Sequence, residues 1–451
     1  MGLLRQCLIA AAATAALCAA APADVTIRSV RLIDYHIDRT KAFITSKGQS
    51  DSAYGIFILL TADDGAGHSF TALGDALPRS LVTNESLTDA WAGATAMGDA
   101  LVGQSLPGKD SATDVAAIRS LLGKLDSITA KQKLTFRSPP PKDKQLRATL
   151  CGFDEALLDL AGKVHSVPVY ELLGGAKQEK VTVSALTTGA DASAEDLADK
   201  AEDEGGKFGA LRVKIGLGDD EDVAKIKAMA AELVEEKRPT KIWVDINHAW
   251  GSSEKSLEML GRIRHALAEA KFTSTFIVEQ PTDENDIGAL AAVTKQTRLW
   301  AASDPFKIQT MADEAVWTLA DAKAMVAADA ADLVNIKIQK AGGLLASKDI
   351  ADYLAASSPN TGIYVGGVIA TDVTSWANLQ LCFALPRLDY ATAPVPRRSY
   401  KVNVAATPIK YDEGKTFHKP TAPGLGTALD FSKLEPYVRR DHATPTTRPG
   451  V

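Results

Sequence analysis

Four apolar runs in this chain each end on a charged residue: ALRVK on Lys214, IWVD on Asp245, FIVE on Glu279 and LVNIK on Lys337. A fifth, LWAASD, ends on Asp304. Alternation along a strand puts Arg212 with Lys214, Asp245 with Asn247, and Asn335 with Lys337 on matching faces. Three carboxylates brought together out of water repel one another, and they stay ionised when a cation sits among them. Oxygen-only ligands favour a hard ion, so Asp245, Glu279 and Asp304 are expected to hold Mg2+, with Mn2+ as the alternative. Any one of these acids alone reads as readily as a helix cap or a lysine's partner; three on successive strand ends point to a metal. A lysine near a divalent cation and a second positive charge becomes a usable base near neutral pH. Lys214 and Lys337 are the expected bases, with Arg212 supplying the second charge and Asn247 lining the same cavity. Such a pair around a metal suits removal of the weakly acidic proton alpha to a carboxylate, with the cation stabilising the enediolate that forms. Lys340 reads as a solvated surface group, and periodicity turns His248 away from the cavity.

The elements that must position these residues are repetitive. The runs VTVSALTT, GALRVKIG, KIWVDIN, TFIVEQP, LWAASDP, DLVNIKI, GIYVGG and RLDYAT alternate with alanine-rich amphipathic stretches. Eight such units predict a (β/α)8-type barrel, in which active-site residues sit at the carboxyl ends of the strands. No GxGxxG or GxxxxGK[ST] follows any of these strands, which argues against a doubly wound nucleotide-binding sheet. Ahead of them, VTIRSVRLIDYHI, YGIFILLTADDG and HSFTALG read as strands, and residues 87–102, 114–125 and 145–160 as helices, with prolines at 139–141 marking a loop. The fold class is therefore α/β, a TIM-like barrel behind an N-terminal α+β capping domain. The expected divisions are a signal segment at 1–23, the cap at 24–175, the barrel at 176–400, and a segment at 401–451 that packs back on the cap and then frays.

Composition bounds the partners. The 50 basic and 56 acidic residues are mixed throughout, for a net charge of −6, so no field of one sign invites nucleic acid or an anionic membrane. A small-molecule carboxylate substrate is the expected partner, and a homo-oligomer is compatible with the sequence. Arg5 precedes an apolar, alanine-rich stretch that closes on Ala21-Pro22-Ala23, the pattern of a secretory signal peptide cleaved near Ala23. The stretch is too short to span a bilayer, so the mature chain is expected to be secreted or periplasmic without a stable membrane span. Leu17 before Cys18 disfavours a lipoprotein signal. Cys151 and Cys382 then remain, both in apolar helix-like segments, and read as small buried hydrophobes rather than as a disulfide.

The motifs meet a family at this point. ALRVKIG looks like a K-x-K strand with Arg212 in place of the first lysine, VDINHAW is similar to a D-x-N-x-x-W strand, and IVEQP and VNIKIQKAGG complete the set. With ITSKGQS, TADDGAGHSF and ALLDLAGKVHSVPVYELLGG, the chain resembles the enolase superfamily, within it the muconate cycloisomerase-like subgroup of the mandelate racemase and muconate lactonizing enzyme family. The resemblance implies a modified (β/α)7β barrel, a metal on Asp245, Glu279 and Asp304, an acid/base pair in Lys214 and Lys337, and a supporting role for Arg212 and Asn247. It implies a metal-dependent isomerase, foremost a racemase or epimerase of an amino-acid, dipeptide or related carboxylate. A dehydratase or cycloisomerase would use the same lysines, and a non-catalytic binding homologue would keep only the site. The pattern is closest to dipeptide epimerases, with departures: Pro305 stands where a second acid is common, Ala370 where many members carry glutamate, and LDYATAPVP lacks their D-x-D.

Overall fold

The computed structural model describes residues 24–129, 144–185, 187–368, 370–392, 394 and 400–444. The signal-like segment, Cys18, the prolines at 139–141, Ile369 and part of the LDYATAPVP stretch lie outside them. Long antiparallel strands open the chain: β1 (Val25–Thr45), β2 (Gly48–Asp63) and β3 (Ser69–Ala76), followed by the short β4 (Ser105–Leu106). The GIFILL run of β2 is apolar without alternation because both faces of this sheet are covered. Ile56, Ile58 and Leu60 join the main core, while Phe57 and Leu59 pack with Val404, Ala405 and Leu434 of the C-terminal segment.

The next strand, β5 (Val181–Thr182), does not enter the barrel. The staves are β6 (Thr187–Thr188), β7 (Ala210–Lys214), β8 (Lys241–Asp245), β9 (Thr275–Glu279), β10 (Lys307–Ala312), β11 (Leu333–Ile336), β12 (Gly362–Val365) and β13 (Tyr390–Ala391). They pair in parallel in chain order. The backbone of Ser184, just ahead of β6, donates to the Ala391 carbonyl at 3.0 Å and closes the ring. After the barrel, β14 (Thr416–Phe417) pairs with β5, and β15 (Val438–Ala443) pairs antiparallel with β1.

Two of the expected staves are corrected. In VTVSALTT the first residues form β5 and pair with β14, so the run enters the barrel only from Ser184 on, with Thr187 and Thr188 as the stave proper. LWAASDP is not a strand at all. Leu299 and Trp300 end the helix Ile287–Trp300, whose buried Leu290, Val293, Thr294 and Thr297 recur at helical spacing. Leu299 is solvent-exposed, and Trp300 lies against Arg264, so what looks like a buried apolar run is a helix end on the surface. The fifth stave is KIQTMA, β10.

The helix Arg147–Val164 ties cap to barrel, with all residues from Ala148 to Gly162 buried. Its carboxylates reach in several directions. Asp154 accepts from Leu344 N at 2.6 Å, capping the barrel helix Leu344–Ser357; Glu155 accepts from Asp75 N at the end of β3; Asp159 accepts from Leu73 N and Leu425 N. Glu85 in turn accepts from Ala148 N and Thr149 N, doing for this helix what its own N-cap, Leu146, cannot. Close approach needs glycine twice: a Cβ on Gly74 would meet Gly152 O at 1.9 Å, and one on Gly343 would meet Asp154 Cγ at 2.3 Å. Gly343, with φ of +139°, belongs to the AGG of VNIKIQKAGG.

Burial pushes the Asp154 carboxyl up to about 7. A carboxyl that holds its proton more tightly folded than unfolded favours the folded state at low pH; that contribution is complete below about pH 4 and lost as pH rises through the folded value. The urea midpoint of the native chain should therefore fall between about pH 5 and pH 8, and the fall should be smaller in Asp154→Asn, as equilibrium unfolding followed by circular dichroism would show.

Candidate active site

Lys214, Asp245 and Glu279 stand in register at the ends of β7, β8 and β9, because each pairs across the sheet with the next. Glu279 pairs with Met311 of β10, and two residues on, at the same face, the chain places Asp313. One oxygen from each of Asp245, Glu279 and Asp313 lies within 4.8 Å of the others, and all three residues are buried. Asp304 is not part of this cluster. It follows the surface helix end, and Arg264 holds its carboxylate in a two-pronged ion pair at 2.6 and 2.7 Å. Asp304 follows a helix, whereas Asp313 follows the fifth stave. Asp245 and Glu279 are 34 residues apart, and a second step of 34 lands on Asp313, whereas Asp304 is only 25 away. With Asp313 in place, the following residue is Glu314, so Pro305 marks no missing acid.

The cluster is wrapped by cations and amide donors. Arg212 donates through Nε and Nη2 to Glu279 at 3.1 and 2.7 Å and through Nη2 to Asp245. Its guanidinium lies 4.9 Å from the Trp243 ring centre and is held at its far end by Thr187 at 2.9 Å. Trp243 Nε1 and Asn335 Nδ2 donate to the two oxygens of Glu279 at 2.8 and 2.7 Å. Lys214 donates to Asp245 Oδ2 and, at 2.9 Å, to Asn247 Oδ1. Across the ring, Lys337 pairs with Asp313 Oδ2.

Lys340 is not on the surface. Its ammonium is buried and donates to Asp313 Oδ1 at 2.8 Å and to the carbonyls of Asp313, Val316 and Asn335. It fixes the Asp313 turn from behind. Gln280 does the same from the side: its Oε1 accepts from Asp313 N at 2.9 Å and Ala315 N at 3.2 Å. Asn247 and Gln280 both have positive φ, +48° and +41°, a conformation that costs energy and turns the chain sharply after the strand end. Gln280 lies inside the IVEQP motif, and Trp243 and Asn335 share faces with Asp245 and Lys337, so alternation alone could have found them. His248 does not line the cavity. Ala370 is buried among Val368 and Val373 in an apolar cluster. Cys151 and Cys382 are both buried and free.

These surroundings set the charges. Burial works against the Lys214 ammonium, and although Asp245 favours it, the neighbouring Arg212 and Lys337 help hold its pKa below the ordinary lysine value. Burial also disfavours Lys337, but Asp313, Glu314 and Glu279 outweigh it and keep that lysine charged. Burial, with repulsion from Asp245 and Asp313, raises Glu279 to about 7 despite Arg212. A carboxylate so reluctant to ionise among its neighbours is one that a cation would favour. The three oxygens form a small all-oxygen donor set, which fits a hard divalent ion.

Arg212, Lys214 and Lys337, which hold the acids, line a cavity of about 1130 Å3 that is walled by the cap hairpin around Arg39, Lys47 and Tyr54 and by the barrel mouth around Thr188, Asn247 and Val368. Fold and site together define a barrel enzyme whose acids and lysines converge under a capping domain. The sequence pattern of the family described as "Enolase C-terminal domain-like" matches residues 192–433, and the chain belongs to the enolase superfamily. Chloromuconate cycloisomerase of Cupriavidus pinatubonensis is 30% identical over 295 residues, covering 64% of this chain and 72% of the relative. The crystal structure of N-succinyl Arg/Lys racemase from Bacillus cereus superposes with a TM-score of 0.75 at 22% identity, over 93% of this chain and all of the other. A dipeptide epimerase from Cytophaga hutchinsonii, solved with Mg and D-Ala-L-Val, has a TM-score of 0.73 at 20% identity over 93% of this chain and 99% of its own. No helix among the described residues is long and apolar enough to cross a membrane.

The two aspartates separate by experiment. If a divalent ion is titrated into the protein by isothermal calorimetry, Asp313→Asn should weaken its binding by at least about tenfold, a loss on the order of a removed charged ligand. Asp304→Asn should leave the affinity unchanged and lower only thermal stability.

Proposed function

We propose that this chain is a divalent-metal-dependent isomerase that removes and returns the proton alpha to a carboxylate, a racemase or epimerase of an amino-acid derivative or related acid. The observation that carries this reading is the pair of buried lysines on β7 and after β11, four staves apart in an eight-stave ring, with one acid cluster between them. Opposite staves present the two bases to opposite faces of one carbon.

Asp245, Glu279 and Asp313 are the proposed metal ligands, with Mg2+ the proposed ion. When bound there, such an ion supplies positive charge beside the substrate carboxylate as the alpha proton leaves. The chain's own residues do the rest. A neutral lysine has two N–H bonds and one lone pair; Asp245 and Asn247 accept from Lys214, which leaves its lone pair to point into the cavity. Lys214 takes the proton from one face. Lys337, held charged by Asp313, delivers a proton to the other. Arg212 keeps positive charge next to Lys214 whatever the pH, since a guanidinium does not deprotonate in proteins.

The likeness to a chloromuconate cycloisomerase supports a second reading, in which one lysine only steadies charge while the substrate closes on itself. Solvent deuterium distinguishes the two. Under the isomerase reading deuterium enters the alpha position with inversion. Lys214→Ala and Lys337→Ala should each abolish inversion, lowering the rate at least about a thousandfold, while each retains exchange in the one epimer that faces the remaining lysine. Deuterium NMR on epimer pairs of N-succinyl amino acids and dipeptides would read this out; unchanged inversion in both variants would refute it. We also propose export. Amino-terminal sequencing of the mature protein should then begin near Asp24.

A further inference from the structure

The tip of the β1–β2 hairpin reaches over the barrel mouth and touches several βα loops. The Ala190 backbone donates to Ile44 O at 2.9 Å, Ser46 Oγ donates to Ile246 O at 2.8 Å, and Lys47 Nζ meets Glu314 Oε1 at 2.8 Å. The first two are contacts to backbone, which hold the tip in place without addressing any chemical group. The third differs. Glu314 is almost wholly buried, next in sequence to Asp313, and its Oε1 also accepts from Asn247 Nδ2 at 3.1 Å. The other end of the same amide, Asn247 Oδ1, accepts from Lys214. A continuous chain of hydrogen bonds thus runs from the cap to the proposed base: Lys47, Glu314, Asn247, Lys214.

The direction of the amide is the point at issue. An asparagine side chain can present either its oxygen or its NH2 group, and only the oxygen can accept from Lys214. Glu314 decides between the two, because a carboxylate accepts and forces the NH2 toward itself. Glu314 can keep that role buried only with a countercharge, and among its hydrogen-bonded partners the cationic one is Lys47. Its second oxygen, Oε2, has no partner among the described residues, so loss of Lys47 would leave the carboxylate with Asn247 as its one recorded donor.

We propose that Lys47 is a positioning residue for Lys214: by pairing with Glu314 when the hairpin is seated, it fixes the Asn247 amide with its oxygen toward the base, and so makes the base competent only under a closed cap. The proposal rests on the reading of Lys214 as the base, but its test does not require turnover. Cyanate carbamylates exposed and weakly held lysine amines, and peptide mass spectrometry gives a rate for each lysine separately. In Lys47→Met the amide is free to turn, Lys214 loses one acceptor, and its modification should accelerate by about tenfold, the size expected for a lost hydrogen bond to a charged group. Lys337 is hydrogen-bonded to Asp313, and the Glu314 charge near it stays in place in this variant, so its rate should change by less than about twofold. Lys47→Arg, which keeps the charge, should restore the native rate at Lys214. Should Lys47→Met fail to fold, Lys47→Gln removes the same charge, leaves Glu314 in place beside Lys337, and should give the same selective acceleration. Equal acceleration of Lys214 and Lys337 would mean that the hairpin merely shields the cavity, and no change at Lys214 would mean that the chain of hydrogen bonds does not control it; either result overturns the proposal.

Discussion

Three carboxylates within 4.8 Å of one another, all out of contact with water, constitute the constraint on which the site depends. Like charges at that separation in a low-dielectric interior cannot coexist without compensation. The protein answers with its own cations before any ion enters: Arg212 against Glu279 and Asp245, Lys214 against Asp245, and Lys337 and Lys340 against Asp313. The same pairing has a chemical use. It holds Lys337 charged on one side; on the other, burial, helped by the adjacent Arg212, disfavours the charged form of Lys214 against the pull of Asp245. Neighbouring groups with environments that push them apart are the usual arrangement for acid and base roles at one site.

That compensation requires the strand ends to be level, and the helix Arg147–Val164 helps keep cap and barrel in register. Its acids take backbone N–H groups from β3, from the helix Leu344–Ser357 and from the C-terminal segment, so each of those elements is anchored to one buried rod. Buried carboxylates cost energy unless hydrogen-bonded, and here the bonds go to backbone donors that would otherwise be unpaired. The hairpin of β1 and β2 extends from this anchored cap, which is how Lys47 arrives at a βα loop 267 residues away in sequence.

Much of this was legible in residue order. Lysine and acid at the ends of β-branched runs predicted Lys214, Asp245, Glu279 and Lys337 at one mouth because strand alternation and parallel barrel geometry are properties of the backbone. The third acid lies elsewhere than its apolar run suggests. Leu299, Trp300 and two alanines form a run as apolar as any strand here, yet they belong to a helix end, and short apolar runs do not by themselves declare their secondary structure. The true stave, KIQTMA, is half polar, with Lys307 exposed and Gln309 partly so, while Ile308, Thr310, Met311 and Ala312 are buried. Lys340 was misjudged similarly: composition makes a lysine a surface residue by default, and only the folded turn around Asp313 supplies the acceptors that bury it.

The sequence by itself determined the period of the staves, and therefore which residue types could face the barrel mouth. It also carried the family, since the motifs are local strings whose order survives without coordinates. Tertiary structure alone decided which acid completes the cluster, which lysine is neutralised by which carboxylate, and that Lys47 of the cap meets Glu314 of the barrel. Those are contacts between segments far apart along the chain, set by how strands level against one another and by where a hairpin comes to rest. No local periodicity encodes them.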